Sequence, residues 1–124
     1  MPQSTPDAAE FYREVAQTGR LWCCRAADGT PHCVATRGGR AQPFWSNLPR
    51  VNQIIRRVPA YASCLPQELT WDDFLAQRVP QLMAQGIKVG LNWAGKRAVG
   101  FELEPQDLVA QVRQCMAENE TRST

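Results

Sequence analysis

Residues 87–103 run Ile87-Lys88-Val89-Gly90-Leu91-Asn92-Trp93, then Ala94-Gly95-Lys96-Arg97-Ala98, then Val99-Gly100-Phe101-Glu102-Leu103. Apolar side chains take alternate positions in both outer segments, with Lys88, Gly90 and Asn92 between them in the first and Gly100 and Glu102 in the second. A period of two marks a half-buried strand, so the stretch predicts a hairpin and a sheet with antiparallel pairing. To bring both apolar sets onto one face, paired residue numbers must sum to an even value, which requires an odd loop, here Ala94-Gly95-Lys96. That register sets Leu91 against Val99, Val89 against Phe101, Gly90 against Gly100 and Lys88 against Glu102 as a cross-strand ion pair. The glycine pair leaves a bare strip that a helix or ligand can approach closely.

Upstream the period lengthens. Thr5-Pro6-Asp7 is a helix start, Ala8, Phe11, Tyr12 and Val15 recur at helical spacing, and Gly19 is a stop. Arg20–Ala26 and His32–Thr36 read as strands joined by a two-residue turn at Asp28-Gly29. In that register Trp22 faces Ala35 and Cys24 faces Cys33 on the expected core side; Leu21, Cys23 and Val34 share the other side, with Arg25 opposite His32. Ala41–Trp45 forms a third strand, with Pro43 favouring an edge or a strand end. Ser46 or Asn47 caps a second helix that carries Pro49 in its first turn and the stripe Val51, Ile54, Ile55, Val58, closed by Pro59. A strand follows around Cys64–Leu69. Thr70-Trp71-Asp72-Asp73 resembles a capping box and opens a helix with core face Phe74, Leu75, Leu82 and Met83, broken or kinked at Pro80 and stopped at Gly86. Pro105 starts the last helix, whose stripe is Leu108, Val109, Val112 and Met116. The expectation is an α+β fold: a single domain over residues 1–124 in which a mostly antiparallel sheet of about five to six strands packs with four helices. The ends, about 1–5 and 118–124, are expected to fray.

Composition fits a globular chain of 124 residues, with 44% hydrophobic and 21% charged residues. Net charge is only +2, but residues 1–62 carry eight arginines against four acids, and residues 63–124 carry six basic residues against eight acids. From Gly29 to Gln67 there is no acid at all, while Arg37, Arg40, Arg50, Arg56 and Arg57 all fall within it. Such segregation suits a partner with an acidic surface. Nucleic acid would call for a stronger basic balance with more interleaved aromatics. The first residues lack the basic and apolar regions of a secretory signal, no segment has the run of about 20 apolar residues of a membrane span, and five cysteines without metal-type spacing suit reduced thiols. These features predict a cytoplasmic protein without membrane attachment.

His32 is the only histidine, so any Ser/His/Asp or Cys/His scheme must use it. Strand alternation points it away from Cys33 and divides Cys23, Cys24, His32 and Cys33 between two faces, which argues against a nucleophile pair and against zinc. No cofactor is expected. Cys24 opposite Cys33 reads as two small buried hydrophobes rather than a disulfide. Trp45, Trp71 and Trp93, beside Ser46, Thr70 and Asn92, stand where sheet ends meet helix starts, which are frequent pocket sites.

In order and spacing, Phe11-Tyr12, Leu21-Trp22, Pro43-Phe44-Trp45-Ser46, Ile54-Ile55, Val58-Pro59-Ala60-Tyr61, Trp71-Asp72-Asp73-Phe74 and Val89-Gly90-Leu91-Asn92-Trp93 resemble a family of short bacterial proteins, domain of unknown function 2750, from about Ala8 to Val112. The resemblance implies a bacterial protein and brings no activity, cofactor or catalytic residue with it. The functional expectation is therefore a non-enzymatic protein-interaction module, a cognate inhibitor or immunity-type protein being one concrete form. Its binding residues are Trp45, Ser46, Arg50, Arg56, Arg57, Trp71, Asn92 and Trp93. The alternative is a small-ligand or nucleotide sensor using the tryptophan rims, and the third reading is a thiol-dependent enzyme.

Overall fold

The computed structural model describes residues 6–95 and 100–123. Helix α1 (Pro6–Thr18) leads into β1 (Arg20–Arg25), β2 (Val34–Thr36), β3 (Gly39–Phe44) and helix α2 (Leu48–Arg57). A short 3₁₀ turn, Pro59–Tyr61, precedes β4 (Leu65–Thr70). Helix α3 is continuous through Trp71–Asp73, a π-helical segment Phe74–Arg78, and Val79–Gln85. Then come β5 (Lys88–Leu91), β6 (Glu102–Leu103) and helix α4 (Pro105–Ser123), which carries the helical backbone past Glu118. The result is the expected single α+β domain with four helices, its strands divided between a two-stranded and a four-stranded sheet.

The four-stranded sheet has the order β2-β3-β5-β6, with β3 and β5 parallel and the other two pairings antiparallel. β1 instead pairs antiparallel with β4 along its whole length, from Arg20↔Thr70 to Arg25↔Leu65. The two sheets are joined where Trp22 and Trp45 exchange both backbone hydrogen bonds at 2.8 Å. Burial explains the arrangement. Leu21, Cys23, Phe44, Val89 and Leu91 pack with α1, α3 and α4 on one side, while Cys24, Ala41, Trp45 and Trp93 pack with Val51 and Ile54 of α2 and with Val58 just after it on the other. A sheet covered on both faces needs apolar residues on both, which is why β1 shows no clean alternation.

Several sequence expectations are corrected here. The β1–β2 turn is a three-residue loop, Ala27-Asp28-Gly29: Ala26 N–H donates to the Thr30 carbonyl (2.8 Å) and Gly29, at φ +93°, donates to Ala26 (2.9 Å). The extra residue shifts the register by one, so Arg25 faces Pro31 and the His32 N–H reaches the Cys24 carbonyl. Beyond that short hairpin β2 leaves β1 for β3, and Cys24 is not opposed to Cys33, nor Trp22 to Ala35. Both sides of β1 are core, so Leu21 and Cys23 are as buried as Cys24. Pro43, one residue before the end of β3, takes the strand-end alternative of the expectation, in an inner strand of the four-stranded sheet and paired with Gly90. It is tolerated because β2 ends at Val34↔Ala41, and alternation turns the proline nitrogen toward that vacated side, away from β5.

The β5–β6 register is two residues from the expected one: Val89 faces Leu103 and Gly90 faces Glu102. Lys88 is therefore not opposite Glu102, and Gly90 is not opposite Gly100; the part of the expectation resting on Lys96 and Val99 lies outside the described residues. A shift of two leaves every side chain on its face, so periodicity cannot distinguish the registers. The Trp93 indole can. It folds back over Gly90, where a Cβ would overlap it, and its Nε1–H donates to the Phe101 carbonyl at 2.9 Å. The bare glycine strip is thus filled by the chain's own tryptophan.

In α3, Thr70 caps as expected, its Oγ1 accepting from Asp73 N–H at 3.1 Å, and Gly86 closes the helix at φ +67°. Pro80 produces no break. The backbone widens just before it, with Val79 N–H donating to the Phe74 carbonyl, five residues back. That inserted residue rotates the following turn by about 100°, keeping Leu82 buried and leaving Met83 46% exposed, against the expected core face.

Candidate functional site

Because β3 and β5 are parallel, their carboxyl ends emerge together, bringing Trp45-Ser46-Asn47 beside Asn92-Trp93. Asn92 N–H donates to the Phe44 carbonyl (2.9 Å) and then turns into the left-handed region at φ +51°. Its side chain is a clamp: Oδ1 accepts from Ser46 N–H at 2.9 Å, while Nδ2 donates to Ser46 Oγ (3.0 Å) and to the Asp7 carbonyl (3.2 Å). Ser46 Oγ in turn donates to Glu14 Oε1 at 3.0 Å, and Asn47 Nδ2 donates to Glu14 Oε2 at 3.1 Å. Asn47 is also the α2 N-cap, its Oδ1 accepting from Arg50 N–H at 2.9 Å. Ser46 and Asn92 are both 1% exposed, so this network ties two strand ends to α1.

The tryptophans separate. Trp45 is fully buried, makes an edge contact with Tyr61 (6.1 Å), and donates Nε1–H to the Trp93 carbonyl at 2.9 Å. Trp71 is stacked on Phe74 at 5.4 Å in the core on the opposite side of the sheet and takes no part in this region. Of the sequence-derived binding residues, Arg50, Arg57 and Trp93 meet at one surface cavity of about 240 Å³, completed by Gln53, Ile54, Ala94 and Gly95. Trp45, Ser46 and Asn92 are buried and do not line it, and neither does Arg56, one helix position before Arg57.

The charge segregation seen along the chain is partly cancelled in space. Arg50 Nη2 donates to Glu10 Oε2 at 2.8 Å, with Asp7 at 3.8 Å, both from α1. Among the described residues Arg57 has no acidic partner, which leaves it as the uncompensated cation on the cavity rim. Gln53, Ala94 and Gly95 were not visible as site residues in sequence; only a strand end meeting a helix face selects them.

The thiols show a second pairing that sequence missed. His32 Nδ1 lies 3.6 Å from Cys64 Sγ, with the Tyr61 ring 4.3 Å from the imidazole, because β4 begins beside β1 where the short hairpin returns. Burial works against a thiolate–imidazolium pair: it raises Cys64 and lowers His32 from their ordinary values. Cys24 is pushed to about 12 and Cys23 to about 11, again chiefly by burial. All five cysteines are free, and among the described residues no group of three or more His, Cys, Asp or Glu side chains is placed to hold a metal.

Fold and site together define an α+β domain with a small arginine-rimmed cavity where two parallel strands end against a helix. The chain belongs to the family described as protein of unknown function (DUF2750), whose model matches residues 8–112. No curated protein matches it. Among the described residues, no helix is long and apolar enough to cross a membrane.

Proposed function

We propose that the chain is a non-enzymatic protein-interaction module, cytoplasmic as its five free thiols favour, that receives an acidic segment of another protein on the α2 face. The observation that supports this reading is the cavity itself. At about 240 Å³ it falls below the roughly 300–1,000 Å³ of small-molecule and cofactor sites, which disfavours a nucleotide and suits a single side chain. Its apolar part, Ile54 and Trp93, and its rim, Arg50, Gln53 and Arg57, match the anchor-and-rim anatomy of interface hot spots. Binding is carried by Arg57, Gln53 and Trp93; the Trp45-Ser46 corner acts by holding them in place.

The test is affinity purification of tagged protein from its native host at two salt concentrations, with three variants. A stoichiometric protein partner that weakens at high salt, is lost with Arg57→Glu and with Gln53→Trp, which fills the cavity, and is kept with Arg56→Glu, supports the proposal. Recovery unchanged in the Arg57→Glu and Gln53→Trp variants overturns it.

A further inference from the structure

The two arginines on the rim of the α2 cavity differ in freedom, and that difference sets how much negative charge the cavity can match. Arg50 and Arg57 stand seven positions apart on α2, two helical turns or about 10.5 Å along the axis. Arg50 is already engaged: Nη2 donates to Glu10 Oε2 at 2.8 Å, Nη1 lies 3.8 Å from Asp7 Oδ1, and the side chain is only 26% exposed. Arg57 is exposed, and among the described residues no ion pair or hydrogen bond engages its guanidinium. One end of the cavity thus holds a cation matched by two carboxylates of α1, and the other end an unmatched one.

The apolar part is small. Ile54 and Trp93 keep 5% and 2% exposure, so the floor between α2 and Ala94-Gly95 offers little surface to cover. A large aliphatic or aromatic side chain seated there would leave most of its own surface uncovered, whereas two methylene groups match what the floor presents. Gln53, exposed between the two arginines, has an amide that can donate to an acceptor at the rim.

We infer that the group inserted by the partner is an unmodified glutamate side chain, its two methylenes on Ile54 and Trp93 and its single carboxylate on the Arg57 fork. This deepens the α2-face reading and rests on it. At Arg57 the carboxylate stands about two turns from Glu10 and Asp7, near the screening length for exposed charges of about 10 Å. Aspartate, one methylene shorter, forfeits either the floor or the cation. A phosphorylated serine brings close to two charges at neutral pH, and the second finds no free cation while α1 holds Arg50. Glu10 and Asp7 therefore determine specificity without touching the inserted side chain: they decide how many charges the two arginines can neutralise together.

The experiment is a titration of isotopically labelled full-length protein with four blocked pentapeptides, alanine at the flanks and glutamate, glutamine, aspartate or phosphoserine at the centre. The Trp93 indole N–H and the Gln53 side-chain amide are followed by NMR. The expected result is saturable binding of the glutamate peptide, at least tenfold tighter than the glutamine peptide and tighter than the other two. Arg57→Gln should remove the preference for glutamate over glutamine. Glu10→Gln combined with Asp7→Asn frees Arg50, and should raise phosphoserine-peptide affinity at least tenfold while changing that for glutamate less than threefold, on a variant whose backbone spectrum remains native. No saturable shift, equal affinity for glutamate and glutamine, tighter binding of phosphoserine to the unaltered protein, or an unchanged phosphoserine affinity in the double variant would overturn the inference. The α2-face reading survives any of these if a protein partner is still lost with Arg57→Glu in the affinity purification, and falls by itself if that dependence is missing.

Discussion

Asn92 Oδ1 accepts the backbone N–H of Ser46 at 2.9 Å while Asn92 Nδ2 donates back to Ser46 Oγ at 3.0 Å, closing a two-way clasp between strand ends 46 residues apart in sequence. Replacing Asn92 by Ala leaves the Ser46 N–H and hydroxyl without this partner and puts a Cβ residue lacking asparagine's tolerance at φ +51°. A loss of about 2–4 kcal/mol is expected, as a lower urea midpoint. Ser46→Ala removes only the hydroxyl and should cost about 1–2 kcal/mol. Equal effects from both would show that the backbone bond contributes little.

Gly90 is required by Trp93. A Cβ at position 90 overlaps the indole, whereas at Gly100 the nearest indole atom is 3.1 Å away. Gly90→Ala is expected to cost about 1–3 kcal/mol by overpacking, and to alter tryptophan fluorescence as the ring is displaced. Gly100→Ala should do visibly less, and a reversed order would contradict the packing described.

The buried thiols give a pH dependence with a definite sign. Cys23 and Cys24 rise from 9.0 to about 11 and about 12, so the folded state holds their protons longer than the unfolded state. Their contribution is intact below pH 9 and falls as pH rises above it, at up to about 1.4 kcal/mol per pH unit per thiol. Denaturation midpoints should drop between pH 9 and 11, and Cys24→Ala should flatten that drop. His32 has the opposite sign: lowered from 6.5 by burial, it favours folding above that value and opposes it as pH falls below.

Arg50 and Arg57 share a cavity and should still behave differently. Arg50 spans to Glu10 and Asp7, so Arg50→Ala is expected to cost at most about 1 kcal/mol of stability, less at high salt. Arg57→Ala should leave stability unchanged within about 0.5 kcal/mol. Thermal unfolding at low and high salt distinguishes the two, and an Arg57 effect as large as that of Arg50 would reveal a partner within the chain.

The sequence was most legible where a signal is local. The α1 stripe of Ala8, Phe11, Tyr12 and Val15, the α2 cap, which falls on Asn47 of the two candidates Ser46 and Asn47, the Thr70 cap and the Gly86 stop all depend on contacts within a few residues, and all stand in the structure. The candidate site was legible in part. Arg50, Arg57 and Trp93 line one cavity, whereas Trp45, Ser46 and Asn92 are buried and do not line it, a difference hidden in sequence because a residue at a strand end reads the same whether it faces solvent or a buried partner. Cys64 with His32 was invisible, since it requires knowing that β4 lies against β1.

By itself the sequence determined the class of the fold, the order of its elements and most of their ends, because periodicity and capping act over one or two turns of chain. The tertiary structure alone decided that β1 takes β4 rather than β2, that β5 lies parallel to β3, and that the β5–β6 register slips by two. Those choices rest on covering both faces of the sheet and on the space a single indole takes over Gly90. Neither leaves a mark in local patterning, because a two-residue shift or a change of strand partner keeps every side chain on a face that its own sequence already permits.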